Sequence, residues 1–485
     1  MTGLSRIWSV FTTGRQRVVH AVVMAALALR CSPYVLGAHF DSDQAIIGLI
    51  GINLSQGKGA TVFTYSQTYL FCIEGWLAAP LFYVFGPSIT ALKLPLFAML
   101  IFVGLVLGRA ALQAGLSRRD TLLALSPFLV TTPWMAMVLV ATHGGNPEPL
   151  VAVASCWLWR RRPIPLGLAA GILYMVRPFA GYPLAALLLV DLAFRKKNKQ
   201  LARDWLICGA AFLVVTRALT YLAPYGTDYG GVPAPTLHWT TSDWWSSVTL
   251  TLKVHVASVC GFDPGPLAYR PLSLPGNTFD WLRTWACAAV VLVVVRIVWR
   301  LVEERRVAWE RYSFGFYLLL VGLFAWAPMV FAVGMAKDAW AVRYCLLVVV
   351  GLLGLLVLFY QLERDVWCRR FVTAFLVTKA LVHIGIMICI QYVYAFHPPP
   401  NPHRVLADYL VEHEITSGIA PFWVAYNVSF LTQKRVRLTD PDRAIFSEYQ
   451  RLYEQDLPGS VIIREVACVD GTKVADWYVC PRHPD

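Results

Sequence analysis

The chain has 485 residues, 57% of them hydrophobic and 15% charged, with a formal net charge of +13. A soluble domain of this length does not carry that balance, so composition alone indicates an integral membrane protein. The basic residues gather in short clusters between apolar runs, the pattern of the positive-inside rule, which excludes nucleic acid as a partner and leaves membrane lipids.

Arg6, Arg15 and Arg17 precede a first apolar run at about 18–36 and place the N-terminus in the cytoplasm. No small-residue cleavage site follows that run, so it reads as a retained span. A polar segment continues to about 87, interrupted by an amphipathic stretch from Leu77 to Phe85. A second span is expected at about 88–110, ending near Arg109, Arg118 and Arg119, and a third at about 121–140. The third ends at Thr142-His143-Gly144-Gly145-Asn146-Pro147-Glu148, and a short fourth returns to Arg160-Arg161-Arg162. Residues 165–194 read as one long helix or as two short spans. Arg177-Pro178 in the middle favours two, because proline removes a backbone donor and disfavours helix at the residue before it.

A seventh span is expected at about 205–222, then a polar loop rich in Pro and Trp at 223–280, then spans near 281–299, 312–332, 342–360 and 371–394. That makes about eleven spans, an odd number, so the C-terminal segment lies on the face opposite the N-terminus. The expected fold is mainly α: a polytopic membrane helix bundle over residues 1–394, with a small α/β domain over 395–485 on the outer face. The tail opens with the stiff spacer His397-Pro398-Pro399-Pro400-Asn401-Pro402. Helix-like periods follow at Val405–Ile415 and Arg443–Tyr453, and a strand-like run at Val461–Ile463. A segment this small carries little stability alone and should pack against the outer loops.

Most of the eleven cysteines lie in or beside apolar runs and read as small core residues. Cys468 and Cys480, in the polar tail, are able to pair if the tail faces an oxidising compartment, a link worth about 3 kcal/mol. No C-x-x-C or other zinc spacing occurs.

The residues able to carry chemistry stand at span ends. Asp41-Ser42-Asp43-Gln44 follows the first span, and Gln67-x-Tyr69-x-x-x-x-Glu74 lies further along the same loop. A charge at bilayer depth costs roughly 2.5–3.5 kcal/mol, so acids there are either solvated or used. This block, with Gly48-Leu49, Gly57, Phe63 and Ala78-Ala79-Pro80-Leu81-Phe82…Phe85-Gly86-Pro87, resembles the first outer loop of GT-C glycosyltransferases. The relatives in view are bacterial membrane enzymes similar to protein O-mannosyltransferases and aminoarabinose transferases. The resemblance extends diffusely through Asn146-Pro147-Glu148, Arg343-Tyr344, and Phe422-Trp423-x-Ala425-Tyr426…Phe430-Leu431…Arg435-Val436.

The resemblance implies an enzyme that takes a sugar from a polyprenyl-phosphate donor and passes it to an acceptor (glycan, lipid or protein) at the outer face of a bacterial inner membrane. It implies Asp43 as general base, Glu74 as a second loop acid and Glu148 as a third. Gln44 stands where many relatives have Glu, which leaves open whether Asp41 contributes. Chemistry points the same way: transfer from a phosphate needs a base at the acceptor hydroxyl and stabilisation of the departing phosphate. Arg177, Lys337 and Arg343 fall at outer span ends, and an arginine fork suits phosphate oxygens. Single displacement from such a donor inverts the anomeric centre.

Plainer readings stand beside these. Asp41 or Asp43 would serve as a helix N-cap, and Glu148 as a first-turn acid against the helix dipole. Glu74, among Phe71, Ile73 and Trp76, fits a solvated face poorly. His143 with Glu74 or Glu148 is a candidate divalent-metal set, though a lone loop histidine is more often structural. Arg343 would anchor its span, and Arg30 would snorkel from the first or meet a lipid phosphate. Trp239, Trp244 and Trp245 would stack on a sugar or form an interfacial belt. The rivals to an enzyme are a lipid-linked-sugar flippase and a catalytically silent scaffold.

Overall fold

The computed structural model describes residues 14–59, 61–65, 70–142, 145–195, 199–222, 241–251, 280–303, 309–331, 343–455 and 459–481. Helices dominate from Gly14 to Phe396. They are α1 (Gly14–Val35), α2 (Ser42–Ser55), α3 (Ile73–Phe85), α4 (Ile89–Gln113), α5 (Arg118–Leu129), α6 (Pro133–Leu139) and α7 (Glu148–Trp159). There follow α8 (Pro163–Val176), α9 (Gly181–Phe194), α10 (Lys199–Tyr221), α11 (Thr241–Leu250), α12 (Asp280–Glu303), α13 (Trp309–Phe331), α14 (Val348–Leu362) and α15 (Val366–Phe396).

Among the described residues, seven helical segments are long and apolar enough to cross a membrane: α1, α4, α10, α12, α13, α14 with its 343–347 lead-in, and α15. An eighth crossing results if α5 and α6, bent by 81° at their junction, are taken as one broken span. The remaining three segments expected to cross, α7, α8 and α9, have 12, 14 and 14 residues. A straight crossing needs about 20, so the count of eleven rests on these three short helices. The break expected at Arg177-Pro178 is present: Arg177 is extended, and a single turn of tighter helix, Pro178–Ala180, separates α8 from α9.

The bend between α5 and α6 is where the third span departs from a continuous helix. Pro127 and Pro133 flank it, and the Thr132 hydroxyl accepts from the Met135 N–H at 3.2 Å, starting α6. Backbone carbonyls freed inside an apolar bundle must find donors. Arg30 of α1 donates to the Phe128 carbonyl, and the Lys379 ammonium of α15 donates to the Val130 carbonyl at 3.0 Å. Arg30 therefore does not simply snorkel. It is 2% exposed, and its guanidinium also lies 5.2 Å from the centre of the Phe128 ring.

The tail holds α16 (Pro402–Glu412), β1 (Ser417–Ile419), α17 (Phe422–Leu431), β2 (Arg437–Thr439), α18 (Ser447–Gln455), β3 (Val461–Arg464), β4 (Thr472–Val474) and β5 (Trp477–Pro481). The sheet order is β2-β1-β3-β5-β4, with β1 parallel to both β2 and β3 and the β3-β5-β4 edge antiparallel. A disulfide joins Cys468 to Cys480. One apolar cluster runs from Ile46 and Ile50 of α2 through Phe82 of α3 to Leu410, Tyr426 and Phe430 of the tail. The tail thus shares its core with the 41–87 segment.

Candidate active site

Asp41 is the N-cap of α2. Its extended backbone lets one carboxylate oxygen accept from the Gln44 N–H at 3.0 Å, while the other faces His39 Nε2 at 3.1 Å. A buried lysine braces this corner: Lys93 of α4, 0% exposed, donates to the Tyr34 carbonyl at 3.2 Å and to the His39 carbonyl. Asp43 follows in the first turn of α2, half-buried. The Gln44 side chain is fully buried, and among the described residues its amide has no hydrogen-bond partner. Its carbonyl accepts from the Thr142 hydroxyl at 3.5 Å, joining the start of α2 to the turn that leads into α7.

That turn carries the centre of the site. Glu74, in the first turn of α3, is 1% exposed and accepts from the Gly145 N–H at 3.2 Å. Glu148, the first residue of α7, is 0% exposed and adjoins Glu74, its carboxyl within hydrogen-bonding reach. Apart from that neighbour and its own backbone N–H, no donor among the described residues meets either Glu148 oxygen. Arg177, at the α8 break, acts electrostatically on Glu148. Its side chain runs over Gly145, where a Cβ would lie 2.1 Å from Arg177 Cγ. With φ at +108°, Gly145 is a position where glycine is needed for backbone and space alike.

Local structure holds these parts in place. The Phe71 N–H donates to the Met175 carbonyl at 2.8 Å, tying the approach to Glu74 to the end of α8. Asn146, 1% exposed, gives its side-chain amide to the Val138 and Ala141 carbonyls at 2.9 and 3.1 Å. It closes the end of α6 and so fixes the turn rather than facing the carboxylates. Arg343 donates to the Tyr344 hydroxyl at 3.2 Å, and the Tyr344 ring meets Phe179 at 5.6 Å. Phe179 is two residues from Arg177, so both arginines border the same break. Arg343 Nε is buried and has no hydrogen-bond partner among the described residues.

Gln67, Tyr69, His143 and Lys337, singled out by sequence, lie outside the described residues, as do Trp239 and most of the 223–280 loop. Trp244 and Trp245 fall on α11, 41% and 64% exposed. For the metal expectation, no group of three or more His, Cys, Asp or Glu able to hold an ion occurs among the described residues. Glu74 and Glu148 alone are two donors.

Three groups escaped the sequence reading. Lys93 and Lys379, 0% and 1% exposed, are each a lone lysine in a long apolar run, a signal that was there to be read. His403 of α16 lies close enough to Asp41 to feel its charge. Burial holds its ring below the usual histidine value, although the Trp423 carbonyl, Asp476 and Asp41 all act to raise it. Nothing local in the sequence connects it to the first loop.

No family model matches the chain, and no curated protein sequence matches it. Among the solved structures similar to it are two of ArnT from Cupriavidus metallidurans, one in the apo state and one bound to undecaprenyl phosphate. They are 12% identical, each covers 96% of this chain and 98% of its own, and the TM-scores are 0.45 and 0.43.

Proposed function

We propose that this chain is a membrane glycosyltransferase of the GT-C type, which transfers a sugar from a polyprenyl-phosphate donor to an acceptor at the outer face. The observation that carries the proposal is the pair of adjoining, wholly buried carboxyl groups of Glu74 and Glu148, with Arg177 laid over Gly145 beside them. Burying one ion costs several kcal/mol even after relaxation. Packing alone gives no reason to gather two acids, of which one, Glu148, has no side-chain donor among the described residues beyond its neighbour. The resemblance of the 41–87 block to GT-C first loops supports the same reading.

In this proposal Asp43 is the base. It takes the proton of the acceptor hydroxyl as that oxygen bonds to the anomeric carbon and the bond to the phosphate oxygen breaks. Asp41, committed to capping α2, positions Asp43 rather than reacting. Arg177 and Arg343 offset the charge that builds on the departing phosphate. Glu74 and Glu148 orient Arg177 and accept hydrogen bonds from sugar hydroxyls.

The test is transfer from radiolabelled polyprenyl-phosphate sugars by purified protein, with Asp43→Asn and Glu74→Gln beside wild type. Loss in both variants, with folding intact, supports the site. No transfer by wild type from any donor with an acceptor pool supplied rejects the enzyme.

A second reading, a lipid-linked-sugar flippase, draws on Arg30, Lys93 and Lys379, buried cations inside apolar helices. Each donates to a backbone carbonyl at a break or a helix end, which gives it a structural task and favours the enzyme. Translocation in proteoliposomes without sugar transfer would reverse that choice.

A further inference from the structure

At the other end of α7 from Glu148 lies a polar cavity. Twelve residues at 1.5 Å each put it about 18 Å from the carboxylates. Its volume is about 180 Å³, and its lining includes Trp157, Arg160, Arg161, Asp191, Phe194 and Arg195. The charges do not balance. Asp191, 5% exposed, is occupied by Arg195 at 2.9 Å and by the Trp205 N–H at 3.2 Å, and Arg195 also reaches Asp204 at 3.9 Å. Arg160 and Arg161 have no ion-pair partner among the described residues.

Arg160 is nonetheless held in place. Its guanidinium lies 4.2 Å from the centre of the Trp157 ring, and it donates one bond to the Trp157 carbonyl at 2.8 Å, leaving most of its five N–H groups free. Burial and repulsion from Arg161 lower its affinity for a proton, as expected where cations converge with too few anions.

We propose that this cavity binds the phosphodiester headgroup of an anionic phospholipid. Its volume is below the ~300–1,000 Å³ of pockets that hold drug-sized ligands, so it suits a phosphate with its immediate linkage and not a nucleotide. A lipid is favoured over a free anion because Leu187, Val190 and Phe194 of α9 give the cavity an apolar wall beside its arginines. Basic pockets between membrane helices are a recognised setting for such headgroups.

The experiment measures lipid retention by native mass spectrometry, and thermal unfolding, of the full chain in detergent with phosphatidylglycerol, phosphatidylcholine or inorganic phosphate. Wild type should hold phosphatidylglycerol about tenfold more tightly than phosphatidylcholine. The double variant Arg160→Gln/Arg161→Gln should lose that preference, while Arg118→Gln/Arg119→Gln, at two exposed arginines of α5, should keep it. If the double variant misfolds, Arg161→Gln alone, which leaves the Arg160–Trp157 stack intact, should weaken phosphatidylglycerol about threefold. Unchanged preference in a folded variant overturns the proposal. So does stabilisation by inorganic phosphate equal to that by phosphatidylglycerol, which would make the ligand a soluble anion.

Discussion

The ring of Phe430 fills the space that Gly48 leaves open: a Cβ on Gly48 would lie 2.4 Å from Phe430 Cε2. Phe40 and Phe82 pack on the same ring at 5.1 and 6.2 Å. Polar bonds flank the contact, from Lys434 Nζ to Asn53 Oδ1 at 2.7 Å and from Asn427 Nδ2 to the Phe40 carbonyl at 3.2 Å. The tail is therefore fastened to the helix that carries Asp43.

Phe430→Ala should undo this docking at a cost of ~3–5 kcal/mol, the range for truncating a buried phenylalanine. Gly48→Leu should do the same from the other side by overpacking. Both are read as faster proteolytic release of the tail in detergent. Release at the wild-type rate in both would mean the tail is held elsewhere.

Much of the order of the long spans was legible because each coincides with an apolar run, and the Arg177 break because proline announces it, whereas the buried helix α2 lay inside a stretch read as polar. The bend between α5 and α6 was hidden inside one continuous apolar stretch. Its compensation comes from Arg30 and Lys379, separated by 98 and 249 residues from the carbonyls they serve. The tail strands, most of them three or four residues long, are defined by pairing partners rather than by local pattern. At the site, Glu74 and Glu148 were each noticeable as acids beside apolar runs. Their meeting was implied only by the family resemblance, because no local pattern reports a turn 71 residues from Glu74. Asp41 and Asp43 were legible as a pair, and only backbone geometry separates the cap from its neighbour.

Removing the ionisable group at either buried acid should cost activity more than stability. Glu74→Gln keeps an acceptor for the Gly145 N–H and Glu148→Gln keeps the volume. Each should lower sugar transfer ~10–10²-fold, the loss of about 1.5–3 kcal/mol from a hydrogen bond to a charged group, with the melting temperature little changed. Gly145→Ala should instead damage the turn, since the added methyl would meet Arg177 and the backbone has φ of +108°. Transfer and thermal unfolding measured on the same preparations separate the two outcomes. Full activity in Glu148→Gln would remove that residue from the site.

Acid should loosen the opposite end of the bundle first. Glu363, 3% exposed, sits between Arg296 and Arg300, bonded at 2.8 and 3.0 Å, and accepts from the Asp365 N–H at 2.7 Å. Burial alone would raise its carboxyl, but these bonds outweigh burial and bring it down to about 2 from the usual 4.5. A carboxyl depressed by folding gives stability that is complete above its unfolded value and is lost as pH falls through its folded value. The window therefore runs from about pH 4.5 down to about 2. In thermal unfolding across that window, Glu363→Gln should start less stable at pH 7 and lose less on acidification than wild type. Equal acid sensitivity in the two proteins would show that other carboxylates control the response.

The disulfide between Cys468 and Cys480 offers a test of sidedness as well as stability. The two Cα atoms are 6.2 Å apart across a separation of 12 residues, and Gly471 lies against the bridge, where a Cβ would come within 2.3 Å of Cys468 Sγ. Closing a loop of this length is worth ~3 kcal/mol in the chain-entropy account, so Cys468→Ser/Cys480→Ser should make the tail more susceptible to protease. Disulfides persist in oxidising compartments and are rare in the reducing cytoplasm. Protein trapped by acid from growing cells, then denatured and labelled with a maleimide polymer, should gain two more labels per chain after reduction than before. The double serine variant should show no such gain. Equal labelling of wild type with and without reduction would place the tail on the cytoplasmic side, and with it the α2 corner to which Phe430 is bound.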